Sequence, residues 1–215
     1  MCHCKVVNCT INAMGYNPEM RPALQSVLLF YLVMLIPSYE LVLDLIWGDK
    51  YYARMMHVSG VISIYLLVLS LAITPITLLI KRWPWGIAFS RWLLPRRRYI
   101  GLGSFYYACL HLIHYLREIN DIENVFYEAF DFELAIGWFA LLILALLAIT
   151  SNNASVRRLK AKWKQLHQLV YLGTALIFAH WMLFDFFPDQ ALSWLAAVIA
   201  IKSIHFGVRV YRKTP

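Results

Sequence analysis

Six long apolar runs dominate this 215-residue chain and set what it can fold into. They cover about Ala23–Trp47, His57–Ile80, Ile100–Leu116, Leu134–Thr150, His167–Phe184 and Leu192–Phe206. A membrane-spanning helix needs roughly 20 mainly apolar residues. The chain is 61% hydrophobic and 15% charged, whereas a soluble domain is nearer half apolar, and the excess lies in these runs. The expected fold is all-α, a polytopic membrane bundle of about six transmembrane helices. The first run contains Pro37, Glu40 and Asp44, so its outer end is the least defined. The third and sixth are short. The connections leave no room for a separate soluble domain, and the chain divides into an N-terminal segment 1–22, a six-helix domain 23–208 and a basic tail 209–215. In the first twenty residues Asn8, Asn12 and Asn17 break up the apolar positions. No h-region of a signal peptide results, and the first span is expected to anchor the chain uncleaved.

The charges give an orientation. Of 20 Lys and Arg, six lie in Lys81–Arg98, five in Arg157–Lys164 and three in the tail, at Arg209, Arg212 and Lys213. In a six-span arrangement these segments share one side, and none contains an acid. Eleven of the 12 acids fall on the other side, many of them in Arg117–Glu133. Short basic loops are cytoplasmic by the positive-inside rule. Both termini are therefore expected in the cytoplasm, with the acidic connections outside. A net charge of +8 split by apolar spans does not make a nucleic-acid surface.

Three of the four cysteines, Cys2, Cys4 and Cys9, fall in the cytoplasmic N-terminus, where disulfides are not expected. Together with His3 they match no common zinc spacing. Cys109 lies within a turn of His111 and reads as packing.

Six of the seven histidines, His57, His111, His114, His167, His180 and His205, fall in or at the edge of a span. Ionisable groups there are costly and mark function, and imidazole is an axial ligand of haem iron. The third and fifth spans both run outward. His111 lies 13 residues beyond Arg98, about 20 Å at 1.5 Å per residue, and His180 lies 16 beyond Lys164, about 24 Å. These similar depths suit two imidazoles clamping one b-type haem. His167 is only three residues beyond Lys164, near the inner surface. On an ideal helix it stands about 140° around from His180 and roughly 20 Å below it, so the two do not share one iron. His114 sits about 60° around the helix from His111, and spacing leaves it a rival ligand. His57 opens the second span at the outer surface, where a structural or propionate-contacting role competes with ligation. His205 reads as structural. Arg97, Arg98, Lys160, Lys162 and Lys164 are topology determinants that meet anionic lipid, and are candidates for holding a flavin phosphate, a quinone head group or a reductase. Neither GxGxxG, GxxxxGK[ST] nor HExxH occurs. The chain thus reads as an electron-transfer subunit, with the substrate-reducing site on a partner.

Several segments carry a resemblance over about Leu35–Tyr211: Leu35-Ile36-Pro37, His57-Val58-Ser59-Gly60, Ile73-Thr74-Pro75, Arg97-Arg98-Tyr99-Ile100-Gly101-Leu102 and Leu110-His111-Leu112. To these are added Ala148–Ser151, Arg158-Leu159, Trp163–His167, Val170-Tyr171-Leu172 and His180. In order and spacing they resemble the MsrQ (formerly YedZ) family, within the ferric reductase-like transmembrane group. The resemblance implies a haem b cytochrome of the bacterial inner membrane, with His111, His167 and His180 as the haem-associated histidines and His111 preferred over His114. It further implies electrons taken from quinol or a cytosolic flavin reductase and passed to a periplasmic molybdopterin reductase, MsrP, which repairs oxidised methionine. A flavin mononucleotide (FMN) is also associated with the family. The segment Met1–Met20 and His114 depart from the family pattern.

Two rivals stand beside this reading. One is a related ferric reductase-like cytochrome serving another acceptor. The other is a haem-free transporter or assembly protein, although the later spans lack the mid-membrane Asp or Glu of a proton-coupled pump.

Overall fold

The computed structural model describes residues 27–47, 52–184 and 189–211. The cysteines and histidine of the N-terminal segment, and 212–215 of the tail, lie outside the described residues. The chain forms two units, Met1–Ile36 and Pro37–Pro215. The first contains α1 (Val27–Leu35), wholly apolar.

The second unit is helical throughout its described residues: α2 (Ser38–Trp47), α3 (Tyr52–Ile80), α4 (Pro84–Ile119), α5 (Ile122–Glu128), α6 (Phe132–Ile149), α7 (Asn153–Leu159), α8 (Ala161–Leu166), α9 (Leu169–Phe184) and α10 (Asp189–Tyr211). Two antiparallel pairs organise it. The α3–α4 pair has the most extensive packing, followed by α6–α9; α4 also meets α6, and α10 packs on both α3 and α9. Apolar attraction between helices is weak in lipid, so small residues that permit close approach and hydrogen bonding dominate such interfaces. On α3 and α4, Ser63 Oγ donates to Ser104 O and Ser104 Oγ donates back to Ser63 O, each at 2.9 Å. The α3–α4 turn needs Gly86, because a Cβ there would lie 1.9 Å from Ile80 O.

This is an all-α membrane bundle. Among the described residues three helices are long and apolar enough to cross a bilayer: Ala53–Ile80, Phe132–Ile149 and Ala161–Phe184. Much of their apolar surface faces outward; Phe139, Leu142 and Ile149 of α6 are 63%, 63% and 72% exposed. The other expected runs are drawn differently. The first run is divided at Pro37 between α1 and α2. The third is only the C-terminal part of α4, whose 36 residues begin in the Trp- and Arg-rich stretch from Pro84. The fifth begins with a turn at His167-Gln168, between α8 and α9, and is helical from Leu169, so His167 lies outside the helix that carries His180.

Buried residues gather in two clusters. Ile64 and Val68 of α3 meet Phe178 and Trp181 of α9 and Ala191 of α10. Leu41 of α2 meets Tyr107 and Leu110 of α4. The space between α3, α4, α6 and α9 remains open as a cavity.

Candidate functional site

The cavity has a volume of about 490 Å³, within the usual range of ligand pockets, roughly 300–1,000 Å³. Its walls are mostly apolar. His111 of α4 and His180 of α9 project into it, and His57, Tyr115, Glu118 and Glu128 also line it. The Tyr115 hydroxyl donates to Glu128 Oε2 at 3.2 Å, tying α5 to α4.

The two imidazoles are held in the same way. His111 Nδ1 lies 2.8 Å from Met56 O of α3, and His180 Nδ1 lies 2.9 Å from Glu133 O at the start of α6. A carbonyl oxygen only accepts, so in each ring Nδ1 carries the proton and Nε2 keeps its lone pair. Each carbonyl belongs to the residue four before a glycine. A Cβ on Gly60 would stand 3.0 Å from His111 Nδ1, and one on Gly137 would stand 2.8 Å from His180 Cε1. A residue at i+4 normally shields the carbonyl at i on a helix surface. Without a Cβ, the ring comes close against the helix and reaches that carbonyl. The ring centres are 6.3 Å apart and the ring planes make an angle of 89°.

This geometry suits one metal between two rings. Ring centres at this distance would leave room for a single ion to take one nitrogen from each ring at roughly 2.0–2.1 Å. A backbone carbonyl on Nδ1–H is the usual means of fixing the tautomer and orientation of a ligating histidine. The donor set and the apolar walls fit a bis-imidazole haem.

Of the remaining candidates only His57 shares the cavity lining with this pair. His114 is fully buried; its Nδ1 donates to Leu110 O of its own helix at 2.7 Å, and its Nε2 has no partner. It is not among the residues that line the cavity. His57 is exposed at the rim. His167 lies at the α8–α9 break, its ring stacked on Trp163 with centroids 3.9 Å apart. His167 Nδ1 is 3.2 Å from Trp163 O and Nε2 is 3.3 Å from Ser151 Oγ. Arg97 donates to Thr74 Oγ1 at 3.1 Å and Arg98 to Asn153 Oδ1 at 2.7 Å; neither lines the cavity. Cys109 is a half-buried free thiol. The side chain of His205 lies outside the described residues. The supporting groups that sequence reasoning did not single out are Gly137 and the carbonyls of Met56 and Glu133. Gly60 entered only as part of a motif.

Fold and site together define a histidine-paired transmembrane helix bundle, and the family model of the ferric reductase like transmembrane component matches residues 59–178. Three relatives are each described as a protein-methionine-sulfoxide reductase heme-binding subunit MsrQ. The one from Herminiimonas arsenicoxydans is 38% identical over 133 residues, 58% of this chain and 56% of the relative. Brucella anthropi has one 31% identical over 175 residues, covering 75% and 72%. A third, from Rhodospirillum rubrum, is 41% identical over 121 residues, 54% of each. The match thus spans little more than half the length of the first and third of these relatives. The chain belongs to the ferric reductase-like transmembrane family and, within it, to the MsrQ group.

Proposed function

We propose that the cavity holds one b-type haem between His111 and His180, and that the chain carries electrons across the bacterial inner membrane. The observation that carries this reading is the pair of imidazoles on one cavity, with ring centres 6.3 Å apart, each with Nδ1–H committed to a carbonyl of another helix. Haem b, when bound, supplies a one-electron couple. The protein's part is to hold and orient. Met56 O and Glu133 O keep both Nε2 atoms aprotic, and Gly60 and Gly137 let the rings seat against their helices. The apolar walls exclude water, and His111 and His180 would each offer Nε2 to the haem iron.

The chain is multi-pass, with about six spans and both termini cytoplasmic. Electrons enter on the basic side from quinol or a cytosolic flavin reductase, near Arg97, Arg98 and His167, where a quinone or FMN meets the chain. They leave on the acidic side to a periplasmic methionine-sulfoxide reductase of the MsrP type, where Glu118 and Glu128 line the cavity. A second, weaker haem-associated site lies at His167. Membership of the MsrQ group supports the acceptor; the charge asymmetry supports the direction.

The test is reconstitution. Protein in sealed vesicles is reduced from within by a quinol, and purified MsrP-type reductase with methionine sulfoxide is added outside. Rapid reoxidation that needs both additions is expected. Reoxidation unaffected by the reductase would point to another acceptor.

A further inference from the structure

The α3–α4 hairpin runs on past the level where α6 ends. α6 stops at Ile149. That level is tied to α4 by the bond from Arg98 to Asn153 of α7, and from there to α3 by the bond from Arg97 to Thr74. Beyond Thr74, α3 continues to Ile80, and α4 begins at Pro84, 13 residues before Arg97. Nearly two turns of α3, about 9 Å, and more than three turns of α4, about 20 Å, stand beyond this basic collar. A tip of this kind in water would be polar. Instead Trp83, Trp85, Ile87 and Phe89 are exposed, by 51%, 57%, 42% and 43%. Lys81, Arg82 and Arg91 lie among them, and the sequence has no acid between Asp49 and Glu118. Each helix also carries an interior proline beside the collar, Pro75 next to Thr74 and Pro95 two residues before Arg97. Proline removes a backbone hydrogen bond, and helices bend there.

We propose that the hairpin tip, Ile76–Leu94, is seated in the interfacial layer of the bilayer on its basic side. Trp83, Trp85 and Phe89 rest at the boundary between acyl chains and head groups, and Lys81, Arg82 and Arg91 lie against anionic phospholipid head groups. Tryptophan concentrates at that depth, and aromatic residues with basic neighbours and no acids are the composition of interfacial helices. The tip is continuous with the apolar span of α3, which brings it to the membrane surface. This inference does not depend on what the cavity holds.

Site-directed spin labelling of the full chain in vesicles tests it. The native cysteines are replaced by alanine, and labels are placed at Trp85→Cys and Phe89→Cys, with Asn124→Cys as a water-exposed reference. These side chains are exposed, and the buried contacts of Gly86 and Ser90 are untouched. In phosphatidylcholine vesicles containing phosphatidylglycerol, labels at 85 and 89 should be at least fivefold less accessible to a water-soluble nickel chelate than the label at 124, and more accessible to oxygen. Omitting phosphatidylglycerol, or introducing Lys81→Gln, Arg82→Gln and Arg91→Gln together, should raise nickel accessibility at least twofold. Labels at 85 and 89 as open to nickel as the reference would overturn the proposal and leave the patch to a protein partner. Unchanged burial without anionic lipid would overturn the head-group contact.

Discussion

Gly137 lies directly beneath the imidazole of His180, so close that a Cβ would stand 2.8 Å from the ring. Gly60 holds the same relation to His111, at 3.0 Å. Alanine at either position must push its ring off the helix. Gly137→Ala is expected to displace His180 from Glu133 O and weaken haem binding about 10–100-fold, the usual cost of losing the support of a metal-ligating histidine. Gly60→Ala should do less. Gly173→Ala, where the nearest atom is Ile143 Cγ2 at 3.1 Å, should leave haem binding unchanged. Haem titration of the three apo-proteins gives the comparison.

His114→Leu separates the buried histidine from the ligand pair. Its Nε2 is buried without a partner, and an unpaired buried polar atom costs about 1–3 kcal/mol. The variant should therefore be as stable as wild type or more so, with an unchanged absorption spectrum. Loss of haem in His114→Leu alongside its retention in His111→Ala would reverse the assignment.

His167→Ala addresses the proposed second site. The Ser151 hydroxyl has one proton and two acceptors, Leu147 O at 2.7 Å and His167 Nε2 at 3.3 Å, so that nitrogen is only weakly satisfied. One tightly bound haem per chain is expected in both wild type and variant, and only a weaker, substoichiometric component should disappear. Two tight haems with ordinary bis-histidine spectra in both proteins would contradict this.

How much of this was legible in the sequence follows from what each feature depends on. Helical rise is fixed, so the common depth of His111 and His180 could be counted from Arg98 and Lys164. Rotation about the helix axis is set by packing, and the sequence alone could not separate His111 from His114 by spacing; Gly60 and Met56 O decide it on α3. Glu133 was readable only as an external acid, because what it offers His180 is its backbone carbonyl. The run His57–Ile80 corresponds closely to α3, since no Asp, Glu, Lys or Arg interrupts it. The start of α4 was hidden, since a helix continuing through Arg96–Arg98 has no apolar signature.

Topology follows from the placement of the basic residues. Reporter fusions within Lys81–Arg98 and Arg157–Lys164 should report the cytoplasm, and fusions in Arg117–Glu133 the outside. A cytoplasmic result for the last segment would invert the direction of electron flow proposed above.

The most direct measurement is haem content and spin state in purified wild type, His111→Ala and His180→Ala, prepared side by side. The imidazole pair predicts one low-spin haem per chain in the wild type. Each single variant should lose it, or retain a small, high-spin, easily dissociated remnant. A low-spin haem at full stoichiometry in either variant would contradict the assignment of the cavity and its two imidazoles.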